Sequence, residues 1–371
     1  MKIAVLRESA DGENRVAGTP ETVKKFITLG AVVAVENGAG DRAAIGDADY
    51  AAAGASMGTR AAVLKDADII LGVQGPDPKT LKGMAAGAWL AAALNPFGER
   101  ARVDAYAKLG LEALAMEFMP RITRAQSMDI LSSQANLAGY KAVLEAANTY
   151  GRAFPMMMTA AGTVSAAKAF IMGVGVAGLQ AIATARRLGA QVSATDATKE
   201  QILSLGAKPI FVENVAGIEG EGAGGYATEM TDEYKAAQAE LVSAHIAKQD
   251  IVITTALIPG RPAPRLISDA QIATMRNGSV IVDLAAESGG NVEGSVAGQT
   301  VVKNGVSIIG AQNMAASLAA DTSAKFSSNL YNFLSAFWDK ETGKPVLDEE
   351  IGTAIRLTQG GAVVHERLIG A

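Results

Sequence analysis

Residues 168–178 read KAFIMGVGVAG, and this stretch decides the fold. A short apolar run is followed by Gly173, Gly175 and Gly178, and then by a segment of helical composition. In a dinucleotide-binding βαβ unit the first glycine permits a tight turn, the second admits a pyrophosphate, and the third lets helix and strand pack closely. We therefore predict a strand, a glycine turn and a helix that begins near Val176.

The residues after this turn complete the dinucleotide pattern. A second apolar run, 191–195, ends on Asp196. An acidic residue about 20 positions beyond the first glycine accepts hydrogen bonds from the adenosine ribose, and its charge disfavours a 2′-phosphate. The N-terminus of the predicted helix would offer free N–H groups to the phosphates. The stretch predicts binding of NAD in preference to NADP.

Short apolar runs alternate with helical stretches on both sides of the turn, as in parallel sheets covered by helices on both faces. We predict strands at 3–6, 32–36, 69–73, 89–93 and 111–115, and a second series at 168–172, 191–195, 251–254, 280–283 and 307–309. Long helices at 127–150 and 311–337 flank the second series. The predicted fold class is α/β, with two doubly wound Rossmann-like domains joined by long helices.

The position of the long helices predicts a discontinuous first domain. We assign residues 1–130 plus 312–371 to an N-terminal Rossmann-like domain, and residues 131–311 to the NAD(H)-binding Rossmann domain. The carboxyl ends of the strands of two such sheets would border a cleft for a ligand.

Composition excludes several classes of function. The chain has 371 residues, 33 Lys plus Arg, 38 Asp plus Glu, two His and no Cys. Disulfides, thiolate metal sites and cysteine nucleophiles are therefore excluded. His245 and His365 are too few for a histidine metal centre, and we expect structural roles for both. The mild acidity without a basic block argues against nucleic-acid binding.

The sequence contains no clear targeting or membrane segment. Charges follow the N-terminal apolar run directly, whereas a secretion signal needs a longer apolar region. The longest uncharged run, 169–185, is slightly short for a bilayer and is interrupted by glycines. We expect a chain that is soluble by itself.

Residues 120–136 carry many hydrogen-bonding side chains at the predicted domain junction. One interpretation is a polar linker and a helix capped by Ser127. The other is a ligand-binding loop, in which Arg121 pairs with a ligand phosphate or with Asp129, while Gln126 and Ser132 contact an amide or a ribose. Spacing alone leaves both open. The glycine cluster at 216–226 is likewise either a closing loop or an ordinary surface loop.

Three longer runs resemble a known family: 116–140 (MEFMPRITRAQSMDILSSQANLAGY), 154–163 (FPMMMTAAGT) and 254–260 (TTALIPG). They are similar to the NAD(H)-binding subunit of proton-translocating nicotinamide nucleotide transhydrogenases. The glycine turn, the run 224–226 and the run 283–291 fit the same family. The resemblance covers nearly the whole chain.

The resemblance implies a homodimer on the cytoplasmic face of a membrane, bound to an NADP(H)-binding subunit and to a membrane proton-channel subunit. It implies direct hydride transfer between NADH and NADP⁺ without an acid or base, coupled to proton translocation by the membrane partners. Arg121, Gln126 and Asp129 would form the loop that orients the nicotinamide. Ser132 would hold the same end of the cofactor, and Gly225 and Tyr226 would lie on the closing loop, while Ala256 and Leu257 belong to the third run.

Two alternatives remain. Alanine dehydrogenases share the predicted fold, and Arg15 matches the arginine that binds the substrate carboxylate in that family. The lysine and histidine of that family are missing after 69–73 and 89–93, where this sequence has LGVQGP and LAAALNP. A non-catalytic NADH-sensing module is the second alternative. Gly72 and Gly75 stand where relatives carry charged residues.

Overall fold

The computed structural model describes residues 1–195, 199–212, 232–258 and 260–369. Contacts divide the chain into two compact units, which comprise residues 1–134 with 315–371 and residues 135–314. The boundary at residue 134 falls inside a long helix, and the second boundary lies just before another. No helix of the described residues is long and apolar enough to cross a membrane.

Unit 1 contains a six-stranded, all-parallel sheet. Its strands are β1 Lys2–Val5, β2 Val32–Glu36, β3 Ser56–Gly58, β4 Ile69–Gln74, β5 Trp89–Ala93 and β6 Glu112–Ala115. Helices between them are α1 Pro20–Thr28, α2 Asp47–Ala52, α3 Arg60–Leu64 and α4 Arg100–Lys108. The strand order is β3-β2-β1-β4-β5-β6, which is the doubly wound order with a reversal between β1 and β4.

Unit 2 contains a seven-stranded sheet of the same winding. Helix α5 Ile130–Thr149 leads into β7 Met157–Thr159 and β8 Gly162–Val164, which form a separate hairpin. The sheet strands are β9 Lys168–Met172, β10 Gln191–Thr195, β11 Lys208–Pro209, β12 Ile251–Thr254, β13 Val280–Asp283, β14 Thr300–Lys303 and β15 Val306–Gly310. The helices are α6 Val176–Arg187, α7 Lys199–Ser204, α8 Asp232–Ile246 and α9 Asp269–Ile272. The order is β11-β10-β9-β12-β13-β15-β14, in which only β14 is antiparallel.

The C-terminal segment returns to unit 1. It contains α10 Ala319–Ala336, the hairpin β16 Trp338–Asp339 and β17 Lys344–Pro345, α11 Glu349–Ile355, the hairpin β18 Thr358–Gln359 and β19 Ala362–Val363, and α12 Glu366–Ile369. Apolar residues of α10, among them Phe326 and Phe333, pack in the unit 1 core.

Both faces of each sheet are buried. In unit 1, Ile3 and Val5 join one core cluster and Ala4 joins another. In unit 2, Ile171 and Phe170 likewise belong to different clusters. Because successive strand residues point to opposite faces, this alternation requires helices on both sides. The predicted α/β fold class, with doubly wound Rossmann-like sheets, is confirmed.

Several predicted elements were wrong in detail. The strands β3, β11 and β14 and the β7–β8 hairpin were not predicted, because they are only two to four residues long and carry little apolar periodicity. The helix predicted at 127–150 is a 3₁₀ turn, Thr123–Met128, followed by α5. The helix predicted at 311–337 begins as a 3₁₀ turn, Met314–Leu318, before α10.

Candidate functional site

The glycine turn of unit 2 has the geometry that the sequence predicts. Gly173 ends β9 with a φ of +97°, a conformation that favours glycine. A Cβ at Gly178 would lie 1.9 Å from the Gly173 carbonyl oxygen, so only glycine allows this approach of helix to strand. Gly175 caps α6 without a side-chain hydrogen bond, and a Cβ there would meet nothing within 4 Å. The N-terminus of α6 therefore faces open space at Gly175.

A second glycine brings α5 to the same turn. A Cβ at Gly139 would lie 2.0 Å from the Ala177 carbonyl oxygen in the first turn of α6. The two helix backbones are thus in direct contact at the residue that follows Val176. Val176 itself is partly exposed at the start of α6. This packing fixes the end of the helix that the dinucleotide pattern assigns to the phosphates.

The segment after β12 lies beside the turn. The Thr255 hydroxyl donates to the Gly173 carbonyl at 3.0 Å. Asn291 holds Ala256 from both sides, since its amide donates to the Ala256 carbonyl at 2.9 Å and accepts from the Ala256 N–H at 3.1 Å. Leu257 follows with an exposed side chain. The structure therefore brings Ala256 next to Gly173, as the site prediction requires.

A buried carboxylate supports this segment. Asp283, at the end of β13, accepts hydrogen bonds from the Thr254 hydroxyl and from the N–H groups of Ala285, Asn291 and Val292. Its side chain is fully buried. The sequence resemblance includes 283–291 but assigns Asp283 and Asn291 no role. Their position two strands away from the glycine turn explains why no local pattern could show it.

Part of the predicted site lies outside the described residues. Asp196, Gly225 and Tyr226 fall in the ranges 196–198 and 213–231. The acidic residue after β10 and the glycine cluster therefore remain predictions from the sequence.

In unit 1, the polar segment 121–132 separates into two kinds of side chain. Arg121 and Gln126 are exposed, and neither side chain has a hydrogen bond or ion pair within the described residues. Asp129 instead accepts from the N–H groups of Leu131 and Ser132 and from the Ser132 hydroxyl at 2.6 Å. Asp129 thus acts as the N-terminal cap of α5. The alternatives of Ser127 as the cap and of an Arg121–Asp129 ion pair were wrong.

Arg15 and its neighbours form a second polar cluster of unit 1. The Arg15 guanidinium makes a two-pronged contact with Glu13, at 2.8 Å from Nε and 2.6 Å from Nη2. Its Nη1 donates to Gln134 at 2.9 Å, and Gln74 donates to Glu13 at 3.1 Å. Burial raises the pKa of Glu13, but the Arg15 hydrogen bond and charge outweigh it and leave the pKa lowered. The chain's own carboxylate therefore neutralises Arg15.

Glu8 bridges the ends of β1 and β4, and its titration gives a pH prediction. Its carboxylate accepts from Val73 N–H at 2.6 Å, and burial raises its pKa to about 7. The folded pKa exceeds the unfolded value, so the stability that Glu8 contributes is present below about pH 4.5 and is lost as pH rises to about 7. Between pH 5 and pH 8 the loss is on the order of 2 kcal/mol.

Urea unfolding of the wild type and of Glu8→Gln at pH 5 and pH 8 measures this effect. The difference in stability between wild type and variant is expected to shift against the wild type at the higher pH. Equal pH dependence of the two proteins would show that Glu8 does not titrate in this range.

Close packing accounts for the glycines at positions 72 and 75. A Cβ at Gly72 would lie 2.9 Å from the Gln74 carbonyl oxygen, and one at Gly75 would lie 3.0 Å from the Tyr106 hydroxyl. That hydroxyl is held by the Pro76 carbonyl at 2.6 Å. The packing leaves no space for the charged side chains of relatives at these positions.

Both histidines make structural contacts. His245 shares a 2.8 Å hydrogen bond with Ser193 and lies edge-on to Phe170, and burial lowers its pKa to about 4. His365 donates from Nε2 to the Ala354 carbonyl at 3.0 Å and is buried. Among the residues that the structure describes, no group of acidic or histidine side chains could hold a metal ion.

Comparisons with known proteins agree with both units. The family model described as "Alanine dehydrogenase/PNT, N-terminal domain" matches residues 4–138, and "Alanine dehydrogenase/PNT, C-terminal domain" matches residues 142–366. The chain is 51% identical over 383 residues to the first of the two chains of the NAD(P) transhydrogenase alpha subunit of Rhodospirillum rubrum, covering 100% of this chain and 99% of the relative.

One solved structure is similar over nearly the whole length. The crystal structure of transhydrogenase from Sinorhizobium meliloti has a TM-score of 0.90 and 52% identity, covering 98% of this chain and 100% of that one. A more distant relative is alanine dehydrogenase of Mycobacterium tuberculosis, which is 31% identical over 300 residues and covers 80% of this chain and 75% of the relative.

Proposed function

Because this chain belongs to the alanine dehydrogenase/PNT family, we propose that it is the NAD(H)-binding subunit of a proton-translocating transhydrogenase. In this role it holds NADH for direct hydride transfer to NADP⁺ on a partner subunit, and membrane partners couple the transfer to proton translocation. The observation that carries the proposal is the open backbone at Gly175, at the N-terminus of α6. The near full-length similarity to transhydrogenase subunits supports it.

Residues of unit 2 bind the dinucleotide in this proposal. Gly173, Gly175 and Gly178 form the turn, and the first N–H groups of α6 from Val176 onward bind the pyrophosphate. Ala256 and Leu257 border the turn, and Asp283 and Asn291 hold them in place. Asp196 binds the adenosine ribose, and Gly225 and Tyr226 close over the cofactor. The residues present fit NAD(H), because the turn leaves space where the phosphates require it.

Residues of unit 1 orient the nicotinamide. When bound, NADH supplies a hydride at the nicotinamide ring. The Arg121 guanidinium and the Gln126 amide are the exposed groups without internal partners among the described residues of this segment, so they are available to a ligand. Asp129 and Ser132 set the start of α5 by capping it. Transfer from ring to ring needs orientation and exclusion of water and needs no acid or base from the chain.

The alternative of an alanine dehydrogenase is disfavoured by Arg15. Its guanidinium is bound by Glu13, and both side chains are buried. A substrate carboxylate would have to displace an internal carboxylate from a bidentate contact, which is among the stronger ion pairs in proteins. Gln74 and Asn95 occupy the region of the missing lysine and histidine.

A reconstitution experiment tests the proposal against a non-catalytic NADH sensor. Calorimetric titration with NADH, NAD⁺ and NADPH should show binding of NADH and NAD⁺ and much weaker binding of NADPH. Addition of the NADP(H)-binding subunit should then give NADH-dependent reduction of NADP⁺. Binding of NADH without turnover in the presence of a competent partner would favour the sensor. No binding of any dinucleotide would contradict both functions.

We further propose that the chain forms a homodimer and works on the cytoplasmic face of the membrane through its partners. The β7–β8 hairpin and the residue before it expose three consecutive methionines, Met156, Met157 and Met158, with Met158 81% exposed. Exposed apolar side chains in a row are typical of an interaction surface. Met158→Asp should raise the dimer dissociation constant at least about tenfold in sedimentation equilibrium. Leu203→Asp, at an exposed position on α7, is the control. A Met158→Asp protein that dimerises like the wild type would contradict this assignment.

A further inference from the structure

The backbone of the polar segment 121–132 is anchored by a residue of α10. Asn329 lies on this helix and is buried, with 7% of its surface exposed. Its amide Nδ2 donates to the Ser127 carbonyl at 2.8 Å, and its Oδ1 accepts from the Ser133 hydroxyl at 2.7 Å. One side chain therefore joins the end of the 3₁₀ turn to the first turn of α5, on both sides of Asp129.

The other anchors of this segment are more exposed. Arg124 forms ion pairs with Asp348 and Glu350, but its side chain is 48% exposed. Ion pairs at such positions contribute little to ordering because water and salt screen them. Asn332 also donates to the Ser127 carbonyl, at 3.1 Å, from a more exposed position. Asn329 is thus the buried anchor among them.

Anchoring matters because the ligand-directed side chains do not hold themselves in place. Arg121 and Gln126 are exposed, and among the described residues nothing bonds their side chains. Their direction is therefore set by the backbone that carries them. Reactions that depend on the orientation of two rings lose rate steeply when a positioning group moves by about 1 Å.

We propose that Asn329 is a positioning residue for hydride transfer: it fixes the backbone between Ser127 and Ser133 so that Gln126 and Arg121 meet the nicotinamide in one orientation. This inference rests on the proposed transhydrogenase function. Asn329 itself touches no cofactor in this account. Its loss should therefore affect the transfer rate and the mobility of the segment more than it affects NADH affinity.

The test compares wild type, Asn329→Ala and the control Ser328→Ala, each assayed as the full chain with the NADP(H)-binding subunit. Ser328 neighbours Asn329 on α10 but bonds only its own helix, at the Ala324 carbonyl. Three quantities are measured: the NADH dissociation constant, the single-turnover transfer rate, and deuterium exchange of the backbone over residues 119–133. Asn329→Ala should slow transfer about tenfold, leave NADH affinity within about twofold, and speed exchange in this segment. Ser328→Ala should match the wild type in all three.

Two further variants keep the inference testable. Asn329→Asp keeps the acceptor for Ser133 and removes the donor to Ser127, so it should slow transfer even if the alanine variant folds poorly. Ser133→Ala should slow transfer on its own and add little in the Asn329→Ala background, because both changes remove the same contact. Wild-type transfer by Asn329→Ala, or equal losses of affinity and rate, would overturn the inference alone. A wild-type protein that binds NADH but transfers no hydride would overturn the proposed function, and the inference with it.

Discussion

Replacing Gln126 by asparagine should slow hydride transfer about 100-fold while changing NADH affinity less than about threefold. Gln126 is exposed, and its amide has no partner within the described residues. Removal of one methylene withdraws the amide by more than about 1 Å without changing its chemistry. Binding energy comes mainly from the dinucleotide turn of unit 2, so affinity is largely kept, whereas the alignment of the reacting rings is lost.

Single-turnover transfer to the partner's NADP⁺ and fluorescence titration with NADH measure the two effects. Gln359→Asn is a matched control, because Gln359 is exposed on β18 and lies outside the proposed site. It should behave as the wild type in both measurements. Equal losses of rate and affinity in Gln126→Asn would contradict the positioning role.

Alanine substitutions in the glycine turn should separate ligand contact from folding. Gly175→Ala places a methyl group in open space at an ordinary φ of −70°, so the protein should keep its melting temperature. If the pyrophosphate approaches this backbone, NADH affinity should fall at least about tenfold. Gly178→Ala would place its methyl 1.9 Å from the Gly173 carbonyl oxygen. The backbone cannot accommodate it, and we expect a loss of stability of at least about 3 kcal/mol.

Thermal unfolding and NADH titration of the two variants form a matched pair. The pattern expected is a stable Gly175→Ala protein with weak binding and an unstable Gly178→Ala protein. A stable Gly175→Ala protein that binds NADH as tightly as the wild type would place the pyrophosphate elsewhere.

The sequence predicted the fold where strands are apolar and four or more residues long. The run 168–172 and its glycines led to the winding of unit 2, and β9, β10, β12 and β13 lie at the predicted positions. The edge strand β3 and the antiparallel β14 were not predicted, because edge positions do not require a continuous apolar run. The start of α5 was also displaced, since Ser127 and Asp129 are both good caps and only the folded chain shows that Asp129 is used.

The site was predictable only where its residues are close in sequence. The glycine turn and the segment 121–132 are local motifs. Asn329 bonds Ser127 across about 200 residues of chain, which no local pattern indicates. Asn291 reaches Ala256 across the ends of two strands in the same way. The Glu13–Arg15 contact is local, but the sequence does not show that the two side chains share one buried position.

Transfer of isotope between the two nicotinamides tests the central claim most directly. The chain would be mixed with its NADP(H)-binding partner in ordinary water and supplied with NADH carrying deuterium at the transferred position of the nicotinamide. Direct transfer predicts that the NADPH formed retains the deuterium quantitatively and that the rate depends on Gln126. NADPH that contains solvent hydrogen at this position, or no NADPH formation by a partner of proven competence, would contradict the account.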